Sequence, residues 1–313
     1  MSAPRVLLVR FSAIGDCVMA SWTASAIRNA YPDCHLVWAI QERCAPVVDT
    51  ARLVSRLVLA DMDAWRGKRW SPSTWSSQLA TFSSLRRERF DVGFDLQGHS
   101  KTALCLRLSG AKKRLASRAT DLLARRLNTV VKTTPKSPHE VDVAVSLIQT
   151  ELSVTLPELP IMPGGEVSIQ PRLVSLQTGA GGKGKAYPID SFRRVAESLR
   201  DAGWTVVGLG GPRDEKLGIE GATDYAGTKS LAESMEVVRT SALHVASDTG
   251  TGHIAAAYGV PVVSIFGPMA AERFRPWTSR GIVLSNGIDP GAVHPQDVVE
   301  ACNSLLSGAA CGS

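Results

Sequence analysis

Three short stretches carry residue types that chemistry uses. In "FSAIGDC", Asp16 follows Gly15 where a β-rich run meets a helical one, so its carboxylate can serve as a general base toward a bound hydroxyl. An aspartate near a helix start also satisfies orphan backbone amides, and on this turn alone capping is the stronger reading. "LQTGAGGKGKAYP" interleaves Gly179, Gly181, Gly182 and Gly184 with Lys183 and Lys185. Glycines let backbone amides approach an anion and lysines add charge, which suits a phosphate; a flexible surface loop explains the same composition equally well. The order is not that of a Walker loop.

The third stretch, "SDTGTGHIAAAYG", places Asp248, Thr249, Gly250 and His253 at a strand-to-helix turn. Amides at the helix start can bind a diphosphate, which Asp248 would repel if it pointed the same way. Asp248 is therefore expected to cap or order the loop, leaving Thr249 and the glycine amides to meet the anion. His253, one turn into the helix, can donate to a ligand or pack between domains. Two other patterns are set aside. "GLGGPRDE" lacks the third glycine of a dinucleotide fingerprint and is interrupted by Pro212, and "DMD" at Asp61 to Asp63 is a tripeptide that chance supplies often.

Parallel sheets position such turns. "RVLLVRF", "HLVWAI", "RLVSRLVLA" and "DVGFDL" read as strands, separated by helical "CVMASWTASAIRNAYP" and "SQLATFSSLRRERF" and followed by "SKTALCLRLSG", which Gly110 closes. After the helical "HEVDVAVSLIQTEL", the stretch "LPELPIMPGGE" is dense in proline and glycine and reads as a domain edge. The rhythm then restarts with "RLVSLQTG", "PIDSFRRVAESLRDAG", "WTVVGLGG", "LAESMEVVRTS", "ALHVAS", "TGHIAAAYG" and "VPVVSIFG". Two α/β domains are expected, 1–160 and 166–313. Ligands of doubly wound sheets bind outside the carboxyl ends of the strands, so the polar turns should face a cleft.

Composition agrees with two domains. The 313 residues are 44% hydrophobic, and 35 Lys and Arg against 29 Asp and Glu leave a net charge of +6. That excess suits phosphates or an anionic membrane face and is too weak to name a partner. No nucleic-acid partner is expected. The six cysteines, Cys17, Cys34, Cys44, Cys105, Cys302 and Cys311, form no C-x-x-C pair and suggest neither a zinc site nor a disulfide framework. With no signal peptide or membrane-spanning run to read, a cytoplasmic protein is expected.

Taken in order, "VLLVRFSAIGDCVMASWTASAIRNAYPD", "WRGKRW", "FDLQGHSKTAL", "KAYP" and "SDTGTGHIAAAYGVPVVSIFGP" resemble glycosyltransferase family 9, the bacterial ADP-heptose:lipopolysaccharide heptosyltransferases. The resemblance implies a GT-B fold, two Rossmann-like doubly wound parallel-sheet domains facing a cleft, with no metal and no cofactor. It implies an ADP-sugar donor bound by the C-terminal domain and a phosphorylated, lipid-linked saccharide acceptor bound by the N-terminal one, with peripheral contact at the cytoplasmic face of the inner membrane. Asp16 would be the catalytic base. Thr178, Lys185, Asp248, Thr249, Gly250 and His253 would bind the donor, with Tyr187 standing where the family has tryptophan. Arg66, Lys68 and Arg69, set between Trp65 and Trp70, and Lys101 after "DLQGHS" fall on the acceptor side; a solvated basic loop is the plainer account of that cluster. Two rival functions share these features: another GT-B transferase or epimerase using a different sugar nucleotide, and a sugar-nucleotide-binding regulator without activity.

Overall fold

The computed structural model describes residues 3–62, 67, 71–165, 168–182 and 184–310. Arg66, Lys68 and Arg69 of the basic cluster, their flanking tryptophans Trp65 and Trp70, Asp63, Lys183 and Cys311 lie outside the described residues. The chain divides into two units, Met1–Pro163 and Gly164–Ser313, at the proline- and glycine-rich stretch.

In the first unit, β1 (Arg5–Val9), β2 (His35–Gln41), β3 (Arg56–Ala60), β4 (Val92–Asp95), β5 (Lys113–Ala116) and β6 (Thr129–Val130) form one sheet. Its order is β3-β2-β1-β4-β5-β6 and each neighbouring pair is parallel. Val6 to Val9 are fully buried, as a central strand covered by helices on both faces requires. Helices α1 (Ile14–Ala30), α2 (Pro72–Ser84), α3 (Ser100–Leu108), α4 (Leu122–Leu127) and α5 (Glu140–Ile148) cover it. Every residue of α1 from Cys17 to Ile27 is buried, so this helix is small and apolar all round rather than striped. It begins at Ile14, three residues before the "CVMAS" run, and so takes Asp16 into its first turn. "RLVSRLVLA" is a strand only over Arg56–Ala60. The preceding segment turns, held by the Arg28 guanidinium, whose Nε donates to the Leu53 carbonyl at 3.0 Å.

The second unit repeats the plan. Strands β7 (Gln170–Gln177), β8 (Thr205–Leu209), β9 (Thr223–Asp224), β10 (Ser241–Ser247), β11 (Val262–Phe266) and β12 (Gly281–Ser285) pair in the order β12-β11-β10-β7-β8-β9, again all parallel. They alternate with α6 (Ile189–Asp201), α7 (Leu231–Thr240), α8 (Gly250–Ala257), α9 (Ala271–Phe274) and α10 (Pro295–Ala310). Helix α6 buries Phe192, Val195, Ala196 and Leu199, a spacing of three and four that lays one stripe on the sheet.

Strand order reverses between β1 and β4 in one unit and between β7 and β10 in the other. Ligands of such sheets collect at that reversal, beyond the carboxyl ends of the strands. The "FSAIGD" turn leaves β1 and "LQGHS" leaves β4. The glycine-lysine loop leaves β7, and "DTGTGH" leaves β10.

Candidate active site

Asp16 sits where the capping reading of its turn places it. At the third position of α1, its Oδ2 accepts the Ala13 amide at 2.9 Å, closing the helix start. Its Oδ1 meets Nη2 of Arg10 at 2.6 Å, and the Asp16 side chain keeps 26% exposure. Arg10 leaves the end of β1 and is itself buried; its Nη1 donates to the Leu96 carbonyl at 2.5 Å. Burial works to lower the Arg10 pKa, yet Asp16, with smaller help from the Cys17 thiol and Glu140, outweighs it and leaves the guanidinium more firmly charged than usual.

Arg10, Asp16, Met19, Ala20, Leu96, Glu140 and Ala144 line a pocket of about 20 Å³, room for a single water. Glu140, at the start of α5, is held by Arg118 through two parallel bonds of 2.8 Å each. None of Arg10, Glu140 and Arg118 stands in the sequence-derived site. Arg10 carried a usable signal, a charge directly after four apolar residues of a buried strand. Glu140 and Arg118 carried none, because only the fold brings α5 and the end of β5 to this corner.

The turn after β4 is built on Asp95. Its Oδ1 accepts the Gln97 and Gly98 amides at 3.0 and 2.8 Å, and its Oδ2 accepts Thr102 Oγ1 and Asn128 Nδ2, both at 2.9 Å. Burial pushes the Asp95 carboxyl up, against the pull of those four donors. Lys101 lies in the first turn of α3 that follows.

In the second unit, Lys185 Nζ reaches Asp248 Oδ2 at 2.7 Å, with the two side chains 28% and 11% exposed. Asp248 thus orders the loop through a lysine rather than by capping α8, whose N-cap is Thr249. The pair also removes the repulsion that an isolated Asp248 would exert on an anion. Two residues on from the lysine, the Tyr187 amide donates to Ser247 Oγ at 2.9 Å, so the loop after β7 is fastened twice to the turn after β10. The Tyr187 ring is buried edge-on against Phe192, and its hydroxyl donates to the Val293 carbonyl at 2.9 Å.

The loop's glycines are of two kinds. A Cβ on Gly179 would collide with the Asp214 carboxylate, so a larger residue there would have to displace that side chain. Asp214 belongs to "GLGGPRDE", which folds as a support under the loop, and Thr178 Oγ1 lies 2.7 Å from the Glu215 carbonyl of the same segment. A Cβ on Gly181 or Gly184 would meet nothing within 4 Å, so these two glycines border open space. Helix α8 starts at Gly250 with no side chain capping it, so its first amides are available to an anion. His253 is buried in the first turn and a half of that helix.

Asp61 is exposed, and among the described residues no group of three His, Cys, Asp or Glu side chains could hold a metal. The five described cysteines are free and buried, and burial pushes the Cys17 and Cys105 thiols well up, as for packing residues. No helix among the described residues is long and apolar enough to cross a membrane.

Comparison with known proteins bears on the fold and the family. Lipopolysaccharide heptosyltransferase 1 of Pseudomonas aeruginosa is 28% identical over 84% of this chain and 79% of its own, and the Escherichia coli K12 protein of that name is 25% identical over 84% and 88%. Among solved structures, E. coli heptosyltransferase WaaC with ADP superposes with a TM-score of 0.82 at 20% identity, covering 96% of this chain and 99% of that one. A family 9 glycosyltransferase of Veillonella parvula gives 0.78 at 17%, covering 97% of each. These likenesses identify the fold as GT-B. The model of glycosyltransferase family 9 (heptosyltransferase) matches residues 78–300, more than half of the chain, and this protein therefore belongs to that family and is a glycosyltransferase.

Proposed function

We propose that the protein is an inverting, metal-independent heptosyltransferase that moves heptose from ADP-heptose to the inner core of lipopolysaccharide, on an acceptor of the Kdo-lipid A type. The fastening of Lys185 to Asp248 at an uncapped helix start carries this reading, because it sets a cation and free amides at the strand reversal of the second sheet. Relatives named lipopolysaccharide heptosyltransferase 1 support the substrates, as do structures of E. coli WaaC with ADP and with ADP-2-deoxy-2-fluoro heptose.

In the reaction, Asp16 takes the proton of the acceptor hydroxyl as that oxygen bonds to the anomeric carbon, and the bond from that carbon to the diphosphate breaks on the opposite face. Lys185 and the first amides of α8 receive the charge that grows on ADP. Thr178, Gly250 and His253 complete the donor side. Arg66, Lys68, Arg69 and Lys101 supply cations for the phosphates and sugar carboxylates of the acceptor, and the protein works at the cytoplasmic face of the inner membrane.

A thermal-shift comparison of ADP, UDP, GDP and CMP tests the donor. ADP at a hundredfold excess over its Kd should add about 2.7 kcal/mol of stability, and a clear preference for another nucleotide would replace ADP-heptose in the scheme. Asp16→Asn should lower transfer by about 10² to 10⁴ with ADP affinity unchanged; near-normal turnover would remove Asp16 from the mechanism, and donor binding with no transfer by the parent protein would favour a binding role alone. Activity should survive EDTA, and loss that Mg²⁺ or Mn²⁺ restores would sink the metal-independent step.

A further inference from the structure

One edge of the first sheet carries charge that the fold does not use. From Arg118 to Lys136 the chain has five Lys or Arg against one acidic residue, Asp121, while the excess over the whole chain is +6. Asp121 is spent inside: its Oδ1 accepts the Ala124 amide at 2.8 Å and its Oδ2 the Ser100 amide at 2.9 Å. Glu140, just past the segment, is held by Arg118. Arg125, Arg126, Lys132 and Lys136 are exposed, and among the described residues no carboxylate pairs with them.

Local geometry turns these cations outward together with apolar side chains. At 3.6 residues per turn, Leu122, Leu123, Arg125 and Arg126 of α4 spread over roughly 160° of the helix, centred opposite its buried residue Ala124. Leu122 and Leu123 are 64% and 47% exposed. Strand β6 follows at once and pairs only with β5, at the edge of the sheet. From Val130 to Lys136 exposure alternates residue by residue, as in an extended chain, so Val130, 44% exposed, Lys132 and Lys136 stand on the open side. The segment runs on to His139, the N-cap of α5, whose first residue, Glu140, lines the pocket beside Asp16.

A protein partner would need a carboxylate set opposite each cation. An anionic bilayer offers a continuous negative plane to cations at any spacing, and an acyl boundary to leucines. We propose that the α4–β6 edge, from Leu122 to Lys136, is the face by which the protein docks on an anionic lipid bilayer, with Leu122 and Leu123 entering the headgroup region and Arg125, Arg126, Lys132 and Lys136 held against it. The proposal rests on the reading that the acceptor is a lipid. It adds a surface separate in sequence from Arg66, Lys68 and Arg69, which that reading gives to the acceptor itself.

Co-sedimentation with vesicles tests this face with neither donor nor acceptor present. The parent should bind vesicles of equal parts phosphatidylcholine and phosphatidylglycerol far better than phosphatidylcholine alone, and added salt should release it. Arg125→Gln with Arg126→Gln should weaken binding by about thirtyfold, the share of two cations, whereas Arg125→Lys with Arg126→Lys should keep it. Leu122→Ser with Leu123→Ser should weaken it by about tenfold, and Ile288→Ser, at an exposed apolar residue of the second unit, should change nothing. All these side chains are exposed, so the melting temperature and ADP affinity of each variant should match the parent. Binding no stronger on anionic than on neutral vesicles, or binding that the Gln and Ser pairs leave intact, would overturn the proposal. Failure of the lipid-acceptor reading shows separately: a parent that docks through this edge yet transfers no sugar to a lipid acceptor upholds the docking face and sinks the proposed function.

Discussion

At the scale of single residues, the site is a set of charges that neutralise one another until a substrate arrives. Lys185 and Asp248 are the clearest pair, because the lysine serves the proposed diphosphate and the aspartate opposes it. Removing the lysine therefore does two things: it deletes a charge-assisted bond worth about 1.5 to 3 kcal/mol, and it uncovers a carboxylate beside the anion. Lys185→Ala should weaken ADP far more than AMP, and Lys185→Ala with Asp248→Asn should bind ADP more tightly than Lys185→Ala alone. A double-mutant cycle by calorimetry measures that coupling; a double variant no tighter than the single would mean that Asp248 does not face the ligand. Asp16, Lys185 and Asp248 could be picked out in the sequence because each sits in a turn rich in glycine or small residues, although capping accounts for an aspartate there as well. Arg10, Glu140 and Arg118 were not, since their meeting depends on crossovers between distant strands.

At the scale of elements, most of the apolar strands and striped helices were readable, and the shortest unread strands share a cause. Strands β5 and β6 are four and two residues long, and β5 opens on Lys113 and Arg114, so no alternation could mark them; only pairing with β4 makes them strands. Helix α10 did carry a signal, with Val298, Ala301 and Cys302 buried at helical spacing after Pro295. In β10, "ALHVAS" held the one polar ring in an apolar strand; His244 is buried there, with its Nδ1 2.9 Å from Ser175 Oγ. The same burial gives a pH dependence with a definite sign. Folded, the ring stays neutral down to about pH 3, whereas unfolded it takes a proton below its ordinary value of 6.5. The unfolded chain thus binds more protons as pH falls below about 6.5, and stability drops, by about 1.4 kcal/mol per pH unit well below that point. Thermal melts at pH 7, 6 and 5 should show this fall in the parent and a shallower one in His244→Gln. Parallel curves for the two proteins would assign the acid sensitivity to other groups.

At the scale of the whole chain, two units repeat one strand order, and the chemistry proposed for them is divided between the two. All residues proposed for the donor lie in Gly164–Ser313, and Asp16 with its neighbours lies in Met1–Pro163. Each unit has its own core, one around Leu7, Val37 and Phe90 and the other around Val174, Phe192 and Val245. A ligand that binds only the folded form of one unit stabilises that unit by mass action and has no direct hold on the other. Scanning calorimetry with rising ADP should therefore move one unfolding transition upward, by an amount that tracks the logarithm of ADP concentration, and leave a second transition in place. Lys185→Ala should abolish that shift, whereas Asp16→Asn should keep it in full. A single transition that ADP raises as a whole would show that the units unfold together, and a shift lost in Asp16→Asn would place nucleotide contacts in the first unit as well.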